Sequence, residues 1–145
     1  MEYTAEARDH PAYKCGRLLA VIERIQGAAI GNPNATLTDR YYGSASTTPA
    51  SVFGVLLRMT QPHLSKLRKQ REGLAIFLER TLQDAMPDCF PTTLSLTEQS
   101  FFALGYYHQR REFFKSRADD EQAAGETADE QLTLTTGGVN NDANH

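Results

Sequence analysis

Apolar residues recur at helical spacing along most of the chain, and this pattern predicts an all-α protein. In the first apolar segment they fall on one arc, at Cys15, Leu18, Ile22, Ile25 and Ala29. Pro11 suits the first turn of a helix, and Asp9 is placed to cap it. We therefore expect a first helix from Pro11 to Ile30 with that arc in the core.

The opposite side of this helix carries small and polar residues: Gly16, Ala20, Glu23, Gln26 and Gly27. Each glycine costs a helix about 1 kcal/mol relative to alanine. Two interpretations remain open. The small face admits the backbone of another subunit at close range, or it is an ordinary solvent face.

The segment "GNPNAT" is a turn signal that ends the first helix. A short helix from Thr36 to Tyr42 is expected next. Thr48 and Pro49 then form a cap and first position for another helix. Its predicted apolar face consists of Val52, Val55, Leu56 and Met59. Pro62 is expected to kink or break this helix at about Gln61.

One helix, or two collinear helices, should cover His63 to Ala85. The predicted stripe is Leu67, Leu74, Leu78 and Leu82, and a bend near Gly73 would keep Arg71 out of it. "PDCFPTT" is typical of a loop, and "SLTE" is a capping box that opens a last helix reaching about Lys115. No segment alternates with period two, so the sequence predicts a compact bundle of about five or six helices and no sheet.

Charge divides the chain into a body and a tail. Up to Arg117 there are 15 Lys and Arg against 11 Asp and Glu, a balance of +4; from Ala118 there are 7 acids and no Lys or Arg, which gives the net charge of −3. The tail has no aromatic residue, so it cannot bury enough surface to offset its ordering entropy. We expect a flexible N-terminus at 1–10, one helical domain at 11–117 and a disordered acidic tail at 118–145.

The sequence lacks the features of membrane, secreted and metal-binding proteins. There is no run of 18 apolar residues for a membrane span, and the first ten residues do not resemble a secretory signal. Cys15 and Cys89 are far apart and have no metal-ligand spacing, so we expect reduced core thiols in a cytoplasmic protein.

The stretch "RYYGSASTTPASVF" raises two catalytic hypotheses, and both fail. A phosphate loop needs more glycines, a lysine and a preceding strand. A serine elbow needs G-x-S-x-G after a strand. His10, His63 and His108 have no partner at metal-ligand spacing. The sequence therefore predicts no enzyme, no metal and no cofactor.

Basic helix faces leave nucleic-acid contact open. Lys66, Lys69 and Arg80 cluster away from the leucine stripe, whereas Arg68 is placed to pair with Glu72 at i+4. Arg17 and Arg24 lie seven apart on the flank of the first helix. These candidates suit phosphate contact, and the alternative is a merely solvated surface.

The last helix has three faces. One carries Leu104, His108, Arg111 and Lys115; the second carries Phe102, Tyr106 and Phe113; the third carries Ala103, Tyr107 and Phe114. Apolar groups on two sides predict a helix covered by its own bundle and by a neighbour. Basic groups beside aromatic rings also suit a nucleic-acid strand, and core packing of the rings is the alternative.

Two long segments carry a resemblance to a known family. "NPNATLTDRYYGSASTTPASVFGVLLRMTQPHLSKL" and "FPTTLSLTEQSFFALGYYHQRREFF" resemble the C-terminal helical region of the type I-C CRISPR large subunit. The likeness runs from about Ala12 to Lys115, and its most specific motifs are Asp39–Ser46, Pro49–Phe53 and Phe102–Arg110. The large subunit's long N-terminal part has no counterpart in this chain.

The resemblance implies a separate small subunit of the RNA-guided Cascade surveillance complex, made from an internal start in the large-subunit reading frame; an excised fragment is the alternative. Expected partners are the large and backbone subunits, further copies of the chain, CRISPR RNA and target DNA. The implied role is to support the guide–target duplex and the displaced strand, without catalysis. The alternative function is a freestanding helical DNA-binding regulator, which would need a recognition helix.

On this interpretation "RYYGSASTTP" is a rigid connection between helices that presents Arg40. The Arg40 guanidinium either contacts phosphate or pairs locally near Asp39. Tyr41 and Tyr42 either anchor the connection onto the bundle or face a partner or a base.

Overall fold

The computed structural model describes residues 5–31 and 37–115, and within them it contains six helices and no strand. These are α1 (Ala5–Asp9), α2 (Pro11–Ile30), α3 (Leu37–Thr47), α4 (Pro49–Gln70), α5 (Glu72–Ala85) and α6 (residues 96–115). The predicted all-α bundle is confirmed. The flexibility expected of the N-terminus is untested, although part of it forms α1. The predicted acidic tail lies outside the described residues.

Helix α2 is the centre of the fold because it is buried on nearly every side. It packs against α1, α3, α4 and α5. The predicted arc is buried, and so is the run Leu18–Ile22 in succession, which a helix with one solvent face would not show. The N-cap is His10 rather than Asp9: His10 Nδ1 accepts a hydrogen bond of 3.0 Å from the Ala12 N–H. Gly31, at φ 98°, ends the helix.

The small-residue face of α2 receives α6 of the same chain. A Cβ atom on Gly16 would lie 1.9 Å from the Phe102 carbonyl oxygen, and one on Gly105 would lie 2.0 Å from the Tyr13 carbonyl oxygen. The two glycines therefore set the distance between the helices. Neither sequence interpretation was correct at Gly16, because the backbone of α6 of the same chain covers it.

Most of the stretch "RYYGSASTTP" is helical, contrary to the predicted connection. It forms most of α3, and Thr48 alone separates α3 from α4. The hydroxyls of this stretch bond back to the helix: Ser46 donates to the Gly43 carbonyl at 3.0 Å, and Thr48 donates to the Ser44 carbonyl at 3.1 Å. Thr48 thus precedes Pro49 as predicted, but its side chain does not cap α4.

Helix α4 runs through Pro62 without ending there. Pro62 removes the usual donor to the Arg58 carbonyl, and both residues lie on the exposed side of the helix rather than in the core. The buried face differs from the predicted one: it consists of Phe53, Leu56, Thr60, Leu64 and Leu67, whereas Val55 and Met59 are 40% and 38% exposed.

The backbone breaks at Arg71 rather than bending at Gly73. Arg71 has φ −145° and ψ 72°, which ends α4 and precedes α5. The break places the Arg71 side chain in solvent and keeps Leu67, Leu78 and Leu82 in the core. One residue thus resolves the conflict between the arginine and the leucine stripe.

The segment between α5 and α6 lies against the junction of α3 and α4. The Ala50 N–H donates to the Pro91 carbonyl at 3.0 Å, and the Leu94 N–H donates to the Thr47 carbonyl at 2.9 Å. The predicted capping box is confirmed by reciprocal bonds of 3.0 and 3.2 Å between Ser95 and Glu98.

The two cysteines differ in burial. Both are free thiols; Cys15 is buried as predicted, but Cys89 is exposed in the loop, so its expected core position is wrong. The chain divides into two units, Met1–Arg110 and Arg111–His145. Of the second, the structure describes residues 111–115, which are helical.

Candidate nucleic-acid interface

The three cations of the predicted basic cluster are all exposed, as expected, but they lie on two different helices, α4 and α5. Lys66 and Lys69 lie on the exposed side of α4, one turn apart, and Arg80 lies on the exposed side of α5. Because Arg71 separates the helices, these residues do not form one stripe of one helix. They are referred to below as the α4–α5 cations.

Two further arginines of this region were missed by sequence reasoning. Arg58 and Arg71 are exposed. Arg58 lies eleven residues before Lys69 and hence on the same side of α4, a spacing that could have identified it. Arg71 becomes exposed only through the helix break, which the pattern placed two residues later.

Arg68 pairs with a different acid from the one predicted. Its Nη2 atom lies 2.5 Å from Glu79 Oε1, and no ion pair with Glu72 forms. Packing of α4 on α5 brings Arg68 and Glu79 together, so a tertiary contact replaces the i+4 pair. Arg68 is therefore engaged in an ion pair, as expected, but with Glu79 instead of Glu72.

The three candidate arginines on α2 and α3 differ in their contacts and in their exposure to solvent. Arg17 Nε donates a 3.0 Å hydrogen bond to Oε1 of the buried Gln109, which ties it to α6. Arg24 is half-buried and engaged in an interaction. Arg40 is exposed on α3. Of the three, Arg40 is the one whose charge faces solvent most fully.

Of the three candidate nucleic-acid-binding residues on α6, one has a hydrogen-bonding partner on α2 and two are exposed. His108 Nδ1 lies 2.7 Å from the hydroxyl of the buried Tyr13, so the imidazole joins α6 to α2. Arg111 and Lys115 are exposed in the second unit.

Aromatic residues of α6 are partly core, as one interpretation held. Phe102 and Tyr106 are buried, and both pack edge-on against Tyr42 at ring distances of 5.4 and 5.3 Å. Tyr42 therefore anchors α3 to the bundle. Tyr107 and Phe114 are each 59% exposed, so the third face of the helix is not part of the core.

Glu23 is the polar centre of the contact between α2, α3 and α6, and the sequence pattern did not identify it. Its carboxylate accepts hydrogen bonds from the Thr38 hydroxyl and, at 2.7 Å, from the Tyr106 hydroxyl. Arg110 Nε lies 3.5 Å away. Burial, followed by the hydrogen bond to Glu23, raises the pKa of Tyr106 to about 12. The cluster fixes helix positions and leaves no open carboxylate.

Exposed apolar side chains are also found on the helices that carry the basic ones. Among the large apolar residues of α4 and α5, four are at least 38% exposed: Val55 and Met59 on α4, and Ile76 and Phe77 on α5. On α6, Leu96 is 84% exposed. The surface therefore offers apolar contacts as well as positive charge.

Three further features of the described residues bear on function: the state of the buried thiol, the grouping of possible metal ligands, and the length and apolar character of the helices. Burial raises the pKa of the Cys15 thiol to about 12, which keeps it protonated and unreactive. In residues 5–31 and 37–115, no three His, Cys, Asp or Glu side chains are grouped so as to hold a metal ion. No helix in the same ranges has the length and apolar character of a membrane span.

The comparisons with known proteins identify the family. No curated protein matches the chain significantly. A family model described as "CRISPR-associated protein (Cas_Csd1)" matches residues 3–114. The match covers nearly all of the described helices, including the α4–α5 cations and most of α6. The chain therefore belongs to the Cas_Csd1 family of CRISPR-associated proteins.

Proposed function

We propose that this protein is a non-catalytic small subunit of a type I-C Cascade surveillance complex in the cytoplasm. In this role it contacts the large and backbone subunits, and further copies of itself, and supports the guide–target duplex and the displaced DNA strand. The observation that carries the proposal is the family match across residues 3–114, which spans the helical bundle.

The energetics of strand exchange give such a subunit a physical task. A guide–target heteroduplex is about as stable as the DNA duplex it replaces, so contacts to strand backbones tip the balance. The α4–α5 cations are exposed, and none of them is held in an ion pair within the described helices. They are suited to phosphate contact because a lysine or arginine that neutralises a phosphate releases its condensed counterions.

A non-catalytic role is supported by how the bundle uses its reactive side chains. His10 caps α2, His108 contacts Tyr13, and Glu23 accepts bonds from two hydroxyls. Cys15 is a buried thiol of raised pKa. These contacts support the proposal that target cleavage belongs to a separate protein.

Co-purification tests the proposal. The complete chain, tagged and co-expressed with the other CRISPR-associated proteins and a guide array, should bring down guide RNA and the larger subunits. The control is the same expression without the guide array, from which no guide-length RNA should be recovered. Recovery of the chain alone, together with sequence-specific nanomolar DNA binding by it, would reject the proposal in favour of a freestanding regulator.

A further inference from the structure

The outer face of α5 carries two apolar side chains that the core does not use. Helix α5 buries Ala75, Leu78, Leu82 and Ala85 against the bundle. Ile76 and Phe77, on the other side, are 50% and 49% exposed. The buried stripe is formed by other residues, and about half of each of these two side chains remains open to solvent.

The Phe77 ring is free for stacking. It makes no ring contact with any residue in the described ranges, whereas the exposed ring of Tyr107 packs against Tyr106 at 5.3 Å. The backbone of Phe77 is held, because its carbonyl accepts a 2.9 Å hydrogen bond from the Thr81 hydroxyl. Phe77 therefore presents an unoccupied aromatic ring from the outer side of α5.

A cation lies next to this ring. Arg80 follows Phe77 by three residues and Ile76 by four, which places all three on one helix surface. Arg80 is exposed and forms no ion pair with Asp84 one turn later, and Arg68 occupies the adjacent carboxylate of Glu79. The face thus combines an open ring with an unpaired guanidinium.

We propose that Ile76, Phe77 and Arg80 form a platform for one unpaired base of a single-stranded nucleic acid. The Phe77 ring stacks on the base, Ile76 extends the apolar surface, and Arg80 binds the flanking phosphate. This inference rests on the proposed function and deepens it. A nucleotide is the favoured occupant because it pairs a base that can stack on the ring with a phosphate that complements the charge of Arg80.

The test compares two strands of equal charge. Wild-type full-length chain at low ionic strength should bind an oligothymidine more tightly than an abasic strand with the same number of phosphates. Phe77→Ala should weaken oligothymidine binding by about fivefold or more, the low end for loss of one stacked base, and leave abasic binding unchanged. The control is Leu96→Ala on α6, which removes an exposed apolar side chain outside the platform and no ring, and which should leave the preference unchanged.

A second variant reports the stacking directly. The chain contains no tryptophan, so Phe77→Trp introduces a single indole fluorophore. Its emission should be quenched by oligothymidine and not by the abasic strand. Equal binding of both strands by the wild type would reject the base platform while leaving nucleic-acid contact intact. Binding of neither strand would count against both, and emission that responds to the larger subunits alone would make this face a protein interface.

Discussion

At the scale of single residues, the contact between α2 and α6 depends on Gly16 and Gly105. Each glycine faces a backbone carbonyl of the other helix at a distance that no side chain could occupy. Glycine is normally unfavourable inside a helix, and here the close approach compensates for that cost. Beside the glycines, side-chain bonds such as those of Arg17 and His108 join the same two helices.

Gly16→Ala should lower the free energy of unfolding by about 1–3 kcal/mol, the usual cost of overpacking, because a backbone carbonyl must move. The matched control is Gly27→Ala on the same helix, where nothing lies within 4 Å of the added Cβ. That change should raise stability by about 0.5–1 kcal/mol. Urea unfolding measures both, and equal effects of the two substitutions would contradict the close approach.

Alkaline pH should destabilise the protein through two buried groups. The folded state raises the pKa of Tyr106 from 10.0 to about 12, and that of Cys15 from 9.0 to about 12. Their neutral forms therefore contribute stability that is complete below about pH 9 and is lost as the pH rises towards 12. The free energy of unfolding, measured against pH, should fall across this range.

Tyr106→Phe should make that decline shallower. The control is Tyr107→Phe, which removes an exposed hydroxyl and should leave the pH dependence as in the wild type. If the stability of the wild type stayed constant up to pH 12, the burial of Tyr106 and Cys15 would be wrong.

At the scale of secondary-structure elements, the accuracy with which each helix was predicted depended on the sequence feature that identified it. Apolar periodicity located α2 and the end of α5 at Ala85 but not the break at Arg71, and the capping box located the start of α6. The expected helix ended at Tyr42, and residues 43–47 of α3 were missed because the serine and threonine residues there were interpreted as a connection between helices. Their hydroxyls bond to carbonyls three or four residues earlier, a local alternative that the apolar pattern does not report.

Tertiary contacts explain the other differences. Arg68 was assigned to Glu72 by helical spacing, but the packing of α4 on α5 offers Glu79. The Glu23 cluster joins residues 83 positions apart, a separation that periodicity along one helix cannot predict.

Ser95→Ala should lower the stability of the protein by about 1 kcal/mol, the usual cost of losing an N-cap. The Ser95 hydroxyl accepts the Glu98 N–H at 3.2 Å at the start of α6. The control is Thr92→Ala in the preceding loop, an exposed position that should be neutral. Thermal unfolding measures both, and an unchanged melting temperature for Ser95→Ala would show that the capping box does not stabilise α6.

At the scale of the whole molecule, we predict that the α4–α5 cations bind nucleic-acid phosphates. Replacing Lys66, Lys69 and Arg80 together by alanine should weaken target DNA binding by the assembled complex, largely without regard to sequence. The slope of log K against log salt should flatten by up to about two units if all three contact a single strand. A salt titration of target binding measures this slope.

The control for that titration is Arg68→Ala. Arg68 is engaged by Glu79, and an exposed pair of this kind contributes about 0.2–1 kcal/mol to stability, so the salt slope should be retained. An unchanged slope in the triple variant would remove the α4–α5 cations from the binding surface. Failure of the triple variant to assemble would assign these cations to a subunit contact.

The central claim is that this chain supports R-loop formation as a subunit of an RNA-guided complex. The most direct measurement is target DNA affinity for complexes assembled with and without the chain, at equal guide RNA content. Affinity should fall when the chain is omitted and should be restored by adding back the purified wild-type chain, but not the triple variant. Equal affinity with and without the chain would contradict the account.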